Sequence, residues 1–123
     1  MDYAETKRFE IKARLARIEV EGIPPYKQTP ADGAEATRQL ERREILRQRA
    51  REEFLDKPVE SGRISLDITY YRHTGRSDAA NIVGGIADSL EGILYVNDRM
   101  IGEIFYIEEP GKQDSYEISV SII

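Results

Sequence analysis

The chain has 123 residues, with 18 Lys and Arg against 23 Asp and Glu for a net charge of −5, one His and no Cys. That length suits one domain, and 40% hydrophobic residues supply a core, which excludes a disordered acidic chain. The absence of cysteine excludes disulfides, thiolate metal sites and a Cys nucleophile, and a single His excludes a two-His metal site within one chain.

Phe9, Ile11, Ala13 and Leu15 alternate with Glu10, Lys12 and Arg14, the period of a half-buried strand. The phase slips at Ala16 before Ile18 and Val20 resume it, which predicts a bulge or bend. Gly22, Pro24 and Pro25 end the strand, and residues 26–33 read as loop. Residues 34–55 are rich in Ala, Arg, Glu, Gln and Leu and predict a helix. Its apolar stripe is thin: Ala36, Leu40, Leu46, Ala50 and Phe54, interrupted by Arg43.

Ile64, Leu66, Ile68 and Tyr70 alternate with Ser65, Asp67, Thr69 and Tyr71 in the clearest strand of the chain. A polar, basic loop over 72–77 follows. Ile82, Val83, Ile86, Leu90 and Ile93 recur at helical spacing, so a second helix spans about 78–91, capped by Ser77 or Asp78 and stopped near Gly92. Its uncharged run, residues 79–87, is the longest in the chain at nine residues, far below the roughly 20 that a membrane-spanning helix needs. Ile101, Glu103, Phe105 and Ile107 share one face of a further strand. Residues 109–112 read as a turn, after which Tyr116, Ile118, Val120 and Ile122 complete a hairpin. The order β-α-β-α-β-β predicts one small α+β domain over residues 1–123, with a mixed or antiparallel sheet covered by two helices. Asp2, Glu5 and Glu10 make the N-terminus unlike a signal peptide. The expectation is a cytoplasmic protein with no membrane partner and no organic cofactor.

The net charge conceals an asymmetry. Residues 38–51 hold six arginines (Arg38, Arg42, Arg43, Arg47, Arg49 and Arg51) and two glutamates, a net +4 that leaves −9 for the rest. Residues 97–118 are mainly acidic. Separate basic and acidic blocks suit a protein that holds a polyanion in one place and a cation in another. The plainer reading is a solvated helix with pairs such as Arg38 with Glu41 and Glu44 with Arg47.

The segment richest in chemistry runs over 75–101. Asp78 opens the second helix, Asn81 and Asp88 are seven residues apart and so share a face, and Asp98 precedes the next strand. Asp78 and Asp98 are expected to converge at one end of the sheet if helix and strand pack together. Converging carboxylates repel unless a cation lies between them, and Mg²⁺, with its oxygen ligands and retained waters, needs few of them. Such an ion activates water or stabilises charge at a phosphodiester. Each residue also has a local explanation: Asp78 as a helix cap, Asn97 and Asp98 as turn formers, Asn81 and Asp88 as solvated polar groups, His73 as an exposed loop residue. Gly84 and Gly85 weaken the helix by about 1 kcal/mol each, which predicts close approach of another backbone or a subunit interface.

Taken together, Asp78-Ala79-Ala80-Asn81, Asp88-Ser89-Leu90-Glu91-Gly92 and Asn97-Asp98-Arg99-Met100-Ile101 resemble the RusA-type Holliday-junction resolvases. The resemblance is dense over residues 64–107, and the element order extends it along the chain. It implies a homodimeric, Mg²⁺-dependent endonuclease (Mn²⁺ as a substitute) that resolves four-way DNA junctions in recombination and repair. On it, Asp78 and Asp98 match catalytic metal-binding aspartates, and Asp88 joins the metal set. Arg38, Arg42, Arg43, Arg47, Arg72, His73 and Arg76 are the candidates for gripping the DNA arms. Two positions depart from the family pattern: Ala80 stands where a second aspartate is expected, and Gly84 where a catalytic lysine is expected. Asp67 or Asp88 are candidate substitutes for the carboxylate, and Arg76 or His73 for the cation. The alternatives are a catalytically impaired relative that binds branched DNA or a protein partner, and an assembly protein that shares only the fold.

Overall fold

The structure, a computed structural model, describes residues 8–27 and 32–123. Its elements are β1 (Ala13–Glu21), α1 (Gly33–Glu53), β2 (Ile64–Arg72), α2 (Ala79–Leu90), β3 (Ile101–Pro110) and β4 (Ser115–Ile122), in the order expected. One turn of 3₁₀ helix, Asp98–Met100, leads into β3. The four strands form one mixed sheet in the order β1-β4-β2-β3. β4 runs antiparallel to β1 and to β2, and β2 runs parallel to β3.

Strand period two sorts the sheet into two faces. Ile18, Val20, Leu66, Ile68, Tyr70, Tyr116, Ile118 and Val120 are buried on the face that packs with Leu46 and Ala50 of α1 and Ile82, Ile86 and Leu90 of α2. The opposite face carries Arg17, Asp67, Thr69, Glu117 and Ser119, paired across the strands, and no helix among the described residues covers it. The parallel β2–β3 pair needs a crossover, which α2 supplies. The bulge expected near Ala16 is present: the β1–β4 register shifts between Arg14 and Ala16, so Leu15 is the extra residue.

Several boundaries and pairings differ from expectation. The first strand begins at Ala13, and Phe9 and Ile11 are exposed ahead of it. The loop expected over 26–33 lies outside the described residues at 28–31. In α1, Leu40 is 63% exposed and the neighbouring Gln39 is buried instead. β3 continues through Pro110, so the turn occupies 111–114.

The largest correction concerns the last two strands, which do not form a hairpin. β2 lies between them, and β4 is a central strand. The buried face of β4 (Tyr116, Ile118, Val120) requires neighbours on both sides, which a terminal hairpin strand would lack. The chain reaches its place by passing over the end of β2, where the Gly111 N–H donates to Arg72 O at 2.9 Å. A Cβ on Gly111 would lie 3.0 Å from the Tyr71 Cβ, so only glycine lets the crossing pass this close.

Candidate nucleic-acid interface

A cleft of about 390 Å³ opens between α1 and the segment joining β2 to α2. Lys27, Arg38, Arg42 and Arg76 line it, together with Thr74 and Ser77. Arg38 and Arg42 are one turn apart on α1, so both reach the same side. Lys27 arrives through Gln39, whose buried amide oxygen accepts from the Lys27 N–H at 3.1 Å. Gly85 makes room for the same strap, since a Cβ there would come within 2.3 Å of the Tyr26 carbonyl oxygen. The close approach predicted at the paired glycines therefore occurs at Gly85, and the approaching backbone belongs to the same chain.

The cleft is electropositive. Among the described residues Glu35 is its one acid, engaged by Arg38 and, at 3.6 Å, by Lys27. The Gln39 amide and these two cations hold the Glu35 carboxyl below its ordinary range. Among the described residues, Arg42 and Arg76 have no acidic partner. Two unneutralised guanidiniums beside a hydroxyl-lined loop can bind phosphate oxygens, in the bidentate geometry that arginine favours.

Asp114 holds that loop in place. Its carboxylate accepts from the Tyr70 hydroxyl at 2.6 Å, the His73 N–H at 2.8 Å, the Thr74 N–H at 3.1 Å, the Thr74 hydroxyl at 2.9 Å and the Gly75 N–H at 3.2 Å. Burial alone would raise its pKa, but these donors outweigh burial and hold it well below the usual carboxylate range. On the other side, burial and the Asp114 acceptor push the Tyr70 hydroxyl up, so it stays protonated and donating.

The seven basic candidates divide into two groups. Arg38, Arg42 and Arg76 meet at the cleft, and His73 is exposed on its loop. Arg43, Arg47 and Arg72 are committed to the fold. The Arg43 Nε donates to Asp88 at 3.2 Å. Arg47 donates to the Ser89 and Glu91 carbonyls at 2.8 and 3.2 Å, satisfying groups that the end of α2 leaves without partners. Arg72 donates twice to Glu108 and also to the Gly75 and Ser77 carbonyls, and its guanidinium lies 4.8 Å from the Tyr70 ring. The helix pairs are also other than expected: Arg38 pairs with Glu35, and Glu44 with Arg51.

The acidic candidates do not converge. Asp78 follows the C-terminal end of β2, whereas Asp98 precedes the N-terminal end of β3. Because β2 and β3 are parallel, those are opposite ends of the sheet. The twelve residues of α2 alone span about 18 Å between them. Asp78 caps α2, accepting from the Asn81 N–H at 2.9 Å and the Asn81 amide at 3.3 Å. Asp88 is held by Arg43, and Asp67 pairs with Arg8 on the uncovered face of the sheet. Asn97 forms the turn before β3, its side chain accepting from the Arg99 N–H. Among the described residues no three acidic or imidazole groups come together, and Asp78 and Asp98, expected to share one ion, lie apart within a single chain.

Sequence reading missed Lys27, Thr74, Ser77 and Asp114. The first three sit in polar loops where only the fold brings them to the arginines. Asp114 counted only as one acid of the run over 97–118. No helix among the described residues is long and apolar enough to cross a membrane. In comparisons with known proteins, no family model matches the chain and no curated protein matches it.

Proposed function

We propose that the protein binds the phosphate backbone of branched DNA through the cleft of Lys27, Arg38, Arg42 and Arg76. The observation that carries this reading is the convergence of these cations from three separate segments beside the loop fixed by Asp114. The resemblance to RusA-type resolvases points to four-way junctions as the DNA, and the single-chain geometry favours binding over cleavage. Phosphate contacts release condensed counterions, so affinity should fall steeply with salt. Anisotropy titrations of a labelled four-way junction and a linear duplex of the same sequence test the reading. Wild type should prefer the junction, and Arg42→Glu or Arg76→Glu should each lower the salt slope by about 1 and weaken binding to every sequence. Equal, salt-insensitive binding by wild type and both variants would sink it.

A second reading, Mg²⁺-dependent junction cleavage, is favoured by the position of Asp78, which directly follows the cleft residue Ser77. It requires Asp98 from a second copy, because one chain keeps the two apart. Symmetric nicks that appear with Mg²⁺ or Mn²⁺ and vanish in Asp78→Asn and Asp98→Asn are the expected result of that reading. Intact junctions under every divalent ion leave binding as the whole activity.

A further inference from the structure

The four cations of the cleft are not equivalent. Among the described residues Arg42 and Arg76 have no acidic partner, whereas Arg38 and Lys27 share the carboxylate of Glu35. Arg38 meets its Oε2. Its Oε1 lies 3.6 Å from the Lys27 ammonium and accepts from the Gln39 amide at 2.9 Å. An acid three residues after an N-cap commonly reaches back to the N-cap N–H. Glu35 stands three residues after the N-cap Asp32, yet its oxygens are turned to the cations of the cleft. Gln39 aims them. It is 4% exposed and uses both ends of its amide, the oxygen on the Lys27 N–H and the NH₂ on Glu35. A buried amide engaged at both ends is locked in one orientation, so strap and carboxylate are held together.

We propose that Glu35 is a built-in competitor for phosphate, occupying Arg38 and Lys27 until a DNA phosphate takes its place. This role rests on the cleft being the phosphate site and sets the affinity of that site. The two oxygens of a carboxylate, shared among a guanidinium, an ammonium and an amide N–H, imitate the two non-bridging oxygens of a phosphodiester. Arg42 and Arg76, unopposed, make the first contact with DNA. Capture of a further phosphate by Arg38 and Lys27 then breaks the Glu35 contacts, and their loss offsets part of the gain. The cleft is thereby kept from holding every polyanion at full strength.

Removing the charge while keeping the shape tests this. Glu35→Gln retains the length of the side chain but cannot neutralise two cations. One further phosphate contact is worth about tenfold in affinity near 0.1 M salt. Glu35→Gln should therefore bind a labelled four-way junction about tenfold more tightly than wild type in anisotropy titrations, with a salt slope steeper by about 1. Glu35→Ala should show the same gain, because the charge is what competes. Glu41→Gln removes an equal charge from an exposed position of α1 outside the cleft, and should tighten binding by less than about twofold. Far-UV circular dichroism should show all three variants folded as wild type. If wild type binds and neither Glu35 variant binds more tightly, or if Glu41→Gln matches their gain, the competitor is overturned and the cleft stands as the binding site. Absence of binding by wild type and every variant overturns both.

Discussion

Asp114, in the turn just before β4, is 6% exposed and accepts from three consecutive backbone N–H groups. Asparagine in its place offers one acceptor oxygen and turns an NH₂ toward donors. Asp114→Asn should cost about 3 kcal/mol in urea unfolding at pH 7, because buried N–H groups lose their acceptor. The carboxyl is depressed on folding, so its contribution is full above the unfolded value of about 3.9 and is lost as pH falls below it. Wild type should therefore lose stability more steeply than Asp114→Asn between about pH 4 and pH 2. Parallel acid limbs would refute the latch. Gly85→Ala should cost about 2 kcal/mol by pushing the new methyl into the Tyr26 carbonyl, measured the same way. These two residues mark what a sequence reveals at this scale. The Asp78 cap was legible because its partner, Asn81, is three positions away. The role of Asp114 was hidden because its partners lie about 40 residues earlier. Gly85 announced a close approach without naming the neighbour.

At the scale of elements, α1 shows how composition predicts a helix while leaving its orientation open. Ala, Arg, Glu and Gln favour the helix whichever side faces inward. Burial of Gln39 in place of Leu40 rotates the stripe, and that rotation turns Arg43 and Arg47 onto α2 while Arg38 and Arg42 face the cleft. The arginine cluster thus divides between α2 and the cleft. Arg47→Ala should destabilise the fold by about 2 kcal/mol, since the last carbonyls of α2 lose a charged donor. Arg49→Ala, on the exposed side of the same helix, should stay within about 0.5 kcal/mol of wild type. Thermal melts of the pair test this, and equal melting temperatures would show that Arg47 is dispensable. The basic half of the cleft was legible as an arginine run. Its Lys27, Thr74 and Ser77 were not, because they join it only through the packing of loops. The expected convergence of Asp78 and Asp98 was not met, because it depended on which ends of β2 and β3 adjoin, and strand direction is not written in a period-two pattern.

For the whole molecule, the element order was readable from periodicity, but the sheet order was not. Adjacent strands usually pair, and the short turn after Pro110 invited a hairpin. The structure spends that turn on crossing the end of β2, and β4 becomes the seam between β1 and β2–β3. Native-state hydrogen exchange should find the amides of Ile118 and Val120 among the slowest, opening only with global unfolding. Faster exchange there than in β1 would contradict a central β4. The same layout governs synthesis. Every other strand leaves the ribosome before the one that unites them, so β1 and β2 emerge with no common neighbour. During that interval α1 and α2 have already emerged to cover Ile18, Val20, Leu66 and Ile68, but the strand that joins the two halves of the sheet beneath them is missing. The nascent chain must wait, guarded or at risk of aggregation, until Ser115–Ile122 slides between its two halves.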